Sequence, residues 1–415
     1  MGKKVFCTAN AANYLSRALT FAESVKEIYG DEAIVVCCLV ERSIDFIDTT
    51  KYEMVDLFLD VFDIGIPDFD RLAFEHNLLE MSCFVRPFLM ETVFGKYPDA
   101  EIYYYMDCDT WLYSKLEETD WALTEGKYNI ALTPHSVDPP DYEFPEGERI
   151  HERAILRHGT FNLGFLGIVN RPYAKDIITK WWKDRLLSSC FWDICEGVFV
   201  DQKWWNPVPY MFDGIYVETS RGYNYASWTI MRRTIEKKGE EYLINGDRLR
   251  FGHFSATFNG HVGYAPVYGI EDRNQMLRTL EEYCEGYYKK VEEFDFPGYS
   301  KVEWSLGNYQ NGYEISDRAR TAYRKNLKNW LDETENPYSL SNEKLLRLSG
   351  DKDLGLNNRK RATSRVHKHA KSNMPGIRKI SNLISRTKGK IKRFLGRKMV
   401  SYLQKWSTEI KSENE

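Results

Sequence analysis

Several things are scarce in this chain, and each scarcity narrows what it can be. Its eight cysteines (Cys7, Cys37, Cys38, Cys83, Cys108, Cys190, Cys195 and Cys284) contain no CxxC pair and mostly sit in apolar runs. That pattern fits neither a zinc site nor a disulfide framework and reads as free thiols in a reducing compartment. No run of about 18 apolar residues occurs, so no membrane-spanning helix is expected. Met1-Gly2-Lys3-Lys4-Val5-Phe6 runs straight into a strand pattern with no signal-peptide apolar region, and Phe6 stands where a myristoylation pattern wants Ser or Thr. The expectation is a cytoplasmic protein. After the first strand, Thr8-Ala9-Asn10-Ala11-Ala12-Asn13 carries no Gly and no Lys, so it is not a glycine-rich phosphate-cradling loop.

What is present points to a large α/β protein. The 415 residues can hold one large domain with an appendage, or two domains. A hydrophobic fraction of 43%, with 22 Phe, 27 Tyr and 11 Trp, is ample for a core. The net charge of −4 hides an asymmetry. Residues 354–400 hold 15 Lys and Arg and no acid, whereas residues 1–353 hold 40 basic and 58 acidic residues, a net of −18. An acidic body carries a basic tail.

Lys4 to Thr8 reads as a strand, Leu15 to Val25 as a helix closed by Tyr29-Gly30, and Ala33 to Val40 as a buried parallel strand. That is a right-handed βαβ opening. Leu57 to Ile64 suggests a third strand, and the three- and four-residue steps from Phe74 to Phe94 predict a helix. Asn129 to Thr133 predicts a strand, Pro134 to Arg149 a long loop, Ala174 to Leu187 a helix, and Leu249 to Phe254 a strand. Phe161 to Val169 reads as a strand whose Gly164 and Gly167 signal close approach by a ligand or another segment.

The stretch richest in chemistry is Ile102-Tyr103-Tyr104-Tyr105-Met106-Asp107-Cys108-Asp109. Side chains two apart on a strand point the same way, so Asp107 and Asp109 converge at or just past its end. Two carboxylates so close call for a cation, and Mg²⁺ or Mn²⁺ bound to phosphate oxygens suits them. The second Asp-x-Asp, Asp68-Phe69-Asp70, follows Pro67 and reads instead as a helix cap.

Phe6-Cys7-Thr8-Ala9-Asn10 with Tyr14, the strand ending in Asp107-Cys108-Asp109, Phe161-Asn162-Leu163-Gly164-Phe165, Asp201-Gln202 and Gly252-His253-Phe254-Ser255 occur in one order. Together they resemble the GT-A-fold retaining glycosyltransferases of the glycogenin/lipopolysaccharide-galactosyltransferase type, over roughly residues 4–265. The resemblance implies a Rossmann-like mixed sheet flanked by helices (residues 1–268), a helical C-terminal extension (269–345) and the basic tail (346–415). It implies a nucleotide-sugar donor, a UDP-sugar, with Mn²⁺ or Mg²⁺. Thr8, Ala9, Asn10 and Tyr14 match the loop that holds base and ribose, with Tyr14 stacking on uracil. Arg86 and Cys108 match donor contacts. Asp107, Asp109 and His253 match the metal ligands, and Asn162, Asp201 and Gln202 the sugar side, with Gln202 nearest the reacting carbon. His135 and His158 flank the long loop as further candidates.

Two departures bear on this. Trp204-Trp205 follows Asp201-Gln202 where smaller residues are usual. Ala256-Thr257-Phe258-Asn259-Gly260 replaces a lysine-containing run that contacts diphosphate, leaving Arg248 or Arg250 to supply the charge. In the tail, Ile377, Ile380, Leu383, Ile384, Ile391, Phe394 and Leu395 recur at helical spacing among Lys and Arg. That reads first as an anionic-membrane surface segment; nucleic acid is not expected, and a solvated tail is the alternative. A glycan or lipid-linked acceptor, as in bacterial surface polysaccharide synthesis, would suit it. The rival readings are a nucleotidyltransferase that makes the sugar nucleotide and a non-catalytic glycan-binding module.

Overall fold

A seven-stranded sheet organises the chain in the computed structural model, which describes residues 2–138, 145–230, 232–255, 273–330 and 336–340. Its first strands are β1 (Lys4–Asn10), β2 (Ala33–Leu39), β3 (Leu57–Asp60) and β4 (Ile102–Met106). The chain then leaves the sheet through β5 (Thr110–Leu112) and returns as β6 (Ile130–Pro134) and β7 (Phe161–Val169). In space the order is Ile215–Val217, β6, β7, β4, β1, β2, β3. Neighbours are parallel except β7, which runs antiparallel to β4 and β6. Every residue of β1, β4 and β7 is buried, including the polar Lys4, Thr8, Asn10 and Asn162. The expected mixed α/β sheet flanked by helices is the one found.

This topology gathers the chemistry at one edge. The parallel strands β1 and β4 end on the same side, and β7, being antiparallel, begins there with Phe161-Asn162. The amide of Asp107 donates to Gly164 O at 3.0 Å, which fixes the end of β4 against β7. A second, small sheet pairs β5 with Phe251–His253, placing Thr110 opposite His253.

The helices follow the apolar spacing, with informative exceptions. Helix α1 (Leu15–Tyr29) buries Leu15, Ala18, Leu19, Ala22 and Val25. The single helix expected over Phe74 to Phe94 is three: α2 (Phe69–Glu75), α3 (Leu78–Phe84) and α4 (Arg86–Lys96). Asn77 restarts the chain by a capping box with Glu80, its Oδ1 accepting from the Glu80 amide at 3.0 Å, and Pro87 in the first turn fits the start of α4. Apolar periodicity carries no information about such a break. Asp68 does stand at the N-cap of α2, but its side chain makes no capping bond; it lies 3.8 Å from Arg71 instead. The third strand stops at Asp60 and continues as a 3₁₀ turn, Val61–Ile64. Helix Pro145–His158 begins inside the stretch expected as loop. The helix expected over Ala174 to Leu187 contains a π-helical turn, Ile177–Trp182.

Beyond the sheet, helix Arg273–Phe294 lies along α1, with Lys290 paired to Glu23 at 3.0 Å. Helix Asp317–Trp330 is pinned by the buried Arg320, whose Nη1 donates to the carbonyls of Ala73, Phe74 and His76 at 3.1, 2.9 and 2.6 Å. Among the described residues no helix is long and apolar enough to cross a membrane. The basic tail, the segment after Ser255 with Ala256–Gly260, and part of the 135–165 stretch lie outside the described residues.

Candidate functional site

Asp107, Asp109 and His253 meet at the carboxyl edge of the sheet, and one ligand atom of each lies within 4.8 Å of the others. Asp107 follows β4, Asp109 precedes β5, and His253 ends the strand that pairs with β5. His253 Nε2 is 3.2 Å from Asp109 Oδ1 and 3.9 Å from Asp107 Oδ2. Burial opposes charge on both partners, yet their attraction wins: the Asp109 carboxyl is held below its ordinary range and the imidazole above its own. The other ring nitrogen, Nδ1, faces Asn224 Oδ1 at 3.1 Å. An amide oxygen only accepts, so Nδ1 carries a proton in either charge state, and in the neutral ring Nε2 would offer its lone pair toward the carboxylates.

Arg86 organises the carboxylates behind this triad. Its Nη2 donates to Asp107 Oδ1 at 2.6 Å, and its Nη1 to Asp201 Oδ2 at 2.8 Å and Leu163 O at 3.0 Å. The hydroxyl of Tyr105 donates to the same Asp107 oxygen at 3.2 Å. Asp107 is therefore held by one oxygen, and its Oδ2 is the one turned toward His253. Asp201 is buried, and its Oδ1 has no hydrogen-bond partner among the described residues. Burial raises its carboxyl, and Arg86 only partly offsets that.

Gln202, next to Asp201 in a 3₁₀ turn, donates from Nε2 to His158 O at 2.9 Å. The His158 imidazole itself packs on Phe199 with ring centroids 4.6 Å apart, so its backbone, not its ring, serves the site. His135 stands closer in. Its Nδ1 bonds Gly159 O at 2.8 Å, and its Nε2 lies 3.4 Å from Asn162 Nδ2. Burial pushes His135 down to about 4, so the ring is neutral and Nε2 accepts. That orientation turns Asn162 Oδ1 away from His135, buried and unpartnered. Gly164 explains why the space is open. A Cβ there would sit 2.6 Å from His253 Cε1, 2.7 Å from Asn162 Oδ1 and 2.8 Å from Asp107 Oδ2.

The first loop is less open than its motif suggests. Thr8, Ala9 and Asn10 are buried, and the Asn10 amide is engaged internally, donating to Ala11 O and accepting from the Cys37 thiol. Tyr14 is half-buried and its ring faces Arg17, whose guanidinium carbon is 4.9 Å from the ring centroid. Cys108 is buried between the two aspartates, and burial raises its thiol. Trp205 is fully buried against Trp182, and Trp204 donates to Ser189 O. The pair that follows Gln202 is therefore packed into the protein.

Arg248 and Arg250 do not supply a phosphate-facing charge. Arg250 is bound by Glu117 and Glu118 at 2.8 and 2.6 Å, and Arg248 by Glu241 at 2.8 Å. Both meet acids whose proximity spacing could not foretell. Three residues that sequence reasoning passed over join the site: Asn224, Arg17 and Trp228, whose ring lies 5.2 Å from His253 and 5.8 Å from His135. Nothing in their local sequence marks them: Arg17 reaches Phe254 O from helix α1, Asn224 stands just before a short strand that pairs with Gly252–His253, and Trp228 lies in the turn after it.

The donor set fits a hard or borderline divalent cation: two carboxylate oxygens, one imidazole nitrogen with its second nitrogen tied, and the gap above Gly164. Asn162 Oδ1, Asp201 Oδ1, Trp228 Nε1 and Asn224 Nδ2 are buried near it without a hydrogen-bond partner among the described residues.

No protein-family model matches the chain. It is 23% identical over 301 residues to the uncharacterized protein YfnD of Bacillus subtilis (strain 168), covering 71% of this chain and 93% of that one. It is likewise 23% identical over 251 residues to the uncharacterized protein YfnF of the same organism, covering 60% and 80%. Among solved structures, the galactosyltransferase LgtC with donor and acceptor sugar analogs matches at 15% identity and a TM-score of 0.40, covering 70% of this chain and 95% of that one. The glycosyltransferase GlyE of Streptococcus pneumoniae TIGR4 matches at 14% identity and a TM-score of 0.40, covering 75% and 67%. Mouse xyloside xylosyltransferase 1 matches at 11% identity and a TM-score of 0.37, covering 62% and 98%.

Proposed function

We propose that the chain is a metal-dependent GT-A glycosyltransferase moving a sugar from a nucleotide-sugar donor, a UDP-sugar, to a glycan or lipid-linked acceptor with retention. The observation that carries this reading is the convergence of Asp107 Oδ2, Asp109 Oδ1 and His253 Nε2 over Gly164, with Asp201 joined to Asp107 through Arg86 and Gln202 next to Asp201 in the chain. Mn²⁺ or Mg²⁺ bound there would act as a Lewis acid on a diphosphate leaving group. The protein's own part is positional. Arg86 and Tyr105 fix one oxygen of Asp107 so that the other faces the ligand. Asp201 Oδ1 and Asn162 Oδ1 are acceptors awaiting donors, a role that sugar hydroxyls fill.

Gln202 is the polar side chain next to Asp201, and its Nε2 is tied to His158 O. A carboxamide is a poor nucleophile, which favours same-face attack by the acceptor hydroxyl over a covalent intermediate. The nucleotidyltransferase alternative loses ground because the loop after β1 holds no Gly or Lys and buries Thr8, Ala9 and Asn10. A non-catalytic glycan-binding module has no need of a buried carboxylate pair, His253 and Arg86 held in register.

The test is a nucleotide-sugar binding panel with and without Mn²⁺ on wild type and Asp109→Ala. Metal-dependent UDP-sugar binding that the substitution abolishes is expected; binding indifferent to both metal and substitution would overturn the reading. The basic tail, residues 346–415, is proposed to hold the enzyme at an anionic membrane surface in bacterial polysaccharide assembly. Removing residues 346–415 should abolish sedimentation with phosphatidylserine vesicles while leaving donor hydrolysis intact.

A further inference from the structure

Arg17 sits in the first turn of α1, three residues after Tyr14 and next to the metal-binding triad. Its Nη1 donates to Phe254 O at 2.8 Å, and the Phe254 amide in turn donates to Asp109 O at 2.7 Å. The guanidinium therefore lies against the chain segment that carries His253. Its other neighbours are aromatic: the Tyr14 ring at 4.9 Å and the Tyr288 ring at 6.0 Å. Among the described residues no carboxylate lies within salt-bridge distance of it, and Phe254 O is its hydrogen-bond acceptor. A guanidinium has five N–H donors, so most of this one's capacity is unspent.

Three other arginines of this region are already committed. Arg86 is bound by Asp107 and Asp201, Arg250 by Glu117 and Glu118, and Arg248 by Glu241. With a divalent cation on the triad, Asp107, Asp109, Asp201, Arg86 and Arg17 leave the cluster positive by one charge; without Arg17 it is neutral. A half-buried arginine that feels Asp109 but makes no direct ion pair beside such a cluster is suited to an anion, and the planar fork suits phosphate oxygens.

We infer that Arg17 is the phosphate-binding cation of this site, taking the phosphate nearest the nucleoside, between a base on Tyr14 and a metal on Asp109. The inference rests on the nucleotide-sugar reading above and adds to it the residue that supplies the positive charge absent from Ala256-Thr257-Phe258-Asn259-Gly260. It also explains why Arg17, unlike the buried Arg86, keeps partial exposure.

The test compares UDP, UMP and uridine, each with Mn²⁺, on wild type and Arg17→Gln by titration calorimetry. UDP and UMP affinities should fall about 10- to 100-fold, the effect of losing one charge-assisted hydrogen bond, while uridine is unchanged. Arg17→Lys, which keeps the charge, should recover most of the loss. Equal weakening of all three ligands would mean that Arg17 only props the Tyr14 ring, and unchanged UDP binding would remove it from the phosphate site; either overturns the inference. If wild type itself binds no nucleotide, it is the nucleotide-sugar reading that fails. A measurement on the unaltered protein guards against misfolded variants. UDP with Mn²⁺ should protect Arg17 from arginine-specific dicarbonyl modification, followed by peptide mass spectrometry, and uridine should not; equal modification in all conditions would overturn the assignment.

Discussion

The imidazole of His253 is steered by Asn224: His253 Nδ1 lies 3.1 Å from Asn224 Oδ1, and Asn224 is held at a φ of 53° just before its strand. Asparagine is among the few side chains that tolerate this left-handed backbone, so shape and hydrogen bond are supplied by one residue. Asn224→Gly keeps the backbone conformation and removes only the bond. Loss of such an outer partner of a ligating histidine typically weakens metal affinity by about 10- to 100-fold. Mn²⁺ titration followed by electron paramagnetic resonance should show a loss of that size, with an unchanged circular dichroism spectrum. Unaltered Mn²⁺ affinity would mean that Asn224 serves only the turn.

Gly164 keeps open the space between His253, Asn162 and Asp107. Adding one methyl would bring a carbon within 2.8 Å of His253, Asn162 and Asp107 together, closer than van der Waals contact permits. In Gly164→Ala either the ligands or β7 must move, and the ligands are the softer side. Mn²⁺ normally raises the melting temperature of a protein that binds it only when folded. The variant should fold but lose that metal-dependent rise; a rise equal to the wild type's would show that the site lies away from Gly164.

Most of this site was legible because its chemistry sits at strand ends. The run Ile102 to Met106 announced β4, and a period of two put Asp107 and Asp109 on one side. Asn162 opened an equally plain strand, β7. What could not be read is whatever depends on a partner far along the chain. Arg17 meets Phe254, and Asn224 meets His253 across paired strands, with no mark in either local sequence. Arg248 and Arg250 were natural candidates by proximity to His253, yet Glu241, Glu117 and Glu118 claim them. The single helix read through Phe74 to Phe94 failed for a related reason. Apolar steps persist across His76-Asn77, and only the capping bond to Glu80 reveals the break.

Arg86 holds two carboxylates that would otherwise face each other in the protein interior. Asp201 is 1% exposed and Arg86 6%, so solvent cannot replace the missing charge. Removing one member of a buried ion network costs about 3–5 kcal/mol. Arg86→Ala should lose stability of that order in urea unfolding. Arg86→Lys keeps the charge, but a single ammonium cannot reproduce the fork to Asp107 and Asp201, so it should recover only part. A loss below about 1 kcal/mol, the level of an exposed ion pair, would show that the network is open to water.

Acid sensitivity should come from histidines held neutral by burial. His76 is stacked between Phe84 and Phe191 with ring centroids 4.7 Å away on each side, and its Nδ1 bonds Leu72 O at 2.6 Å. Burial, aided by Arg324 and Arg320, pushes it down to about 3. In the unfolded chain the same ring titrates near its ordinary value of about 6.5. Between those values the unfolded state binds the extra proton, so stability is full above about 6.5 and is lost as the pH falls. The slope from one such group is at most about 1.4 kcal/mol per pH unit. His76→Phe preserves the stacking and removes the titration. Urea unfolding of wild type from pH 6.5 down to 5 should therefore show a steeper decline than the variant does, by up to that slope. Parallel declines would mean that His76 gains its proton without unfolding the segment around Phe191, and would place the acid sensitivity on His135 and His158, imidazoles that burial also lowers.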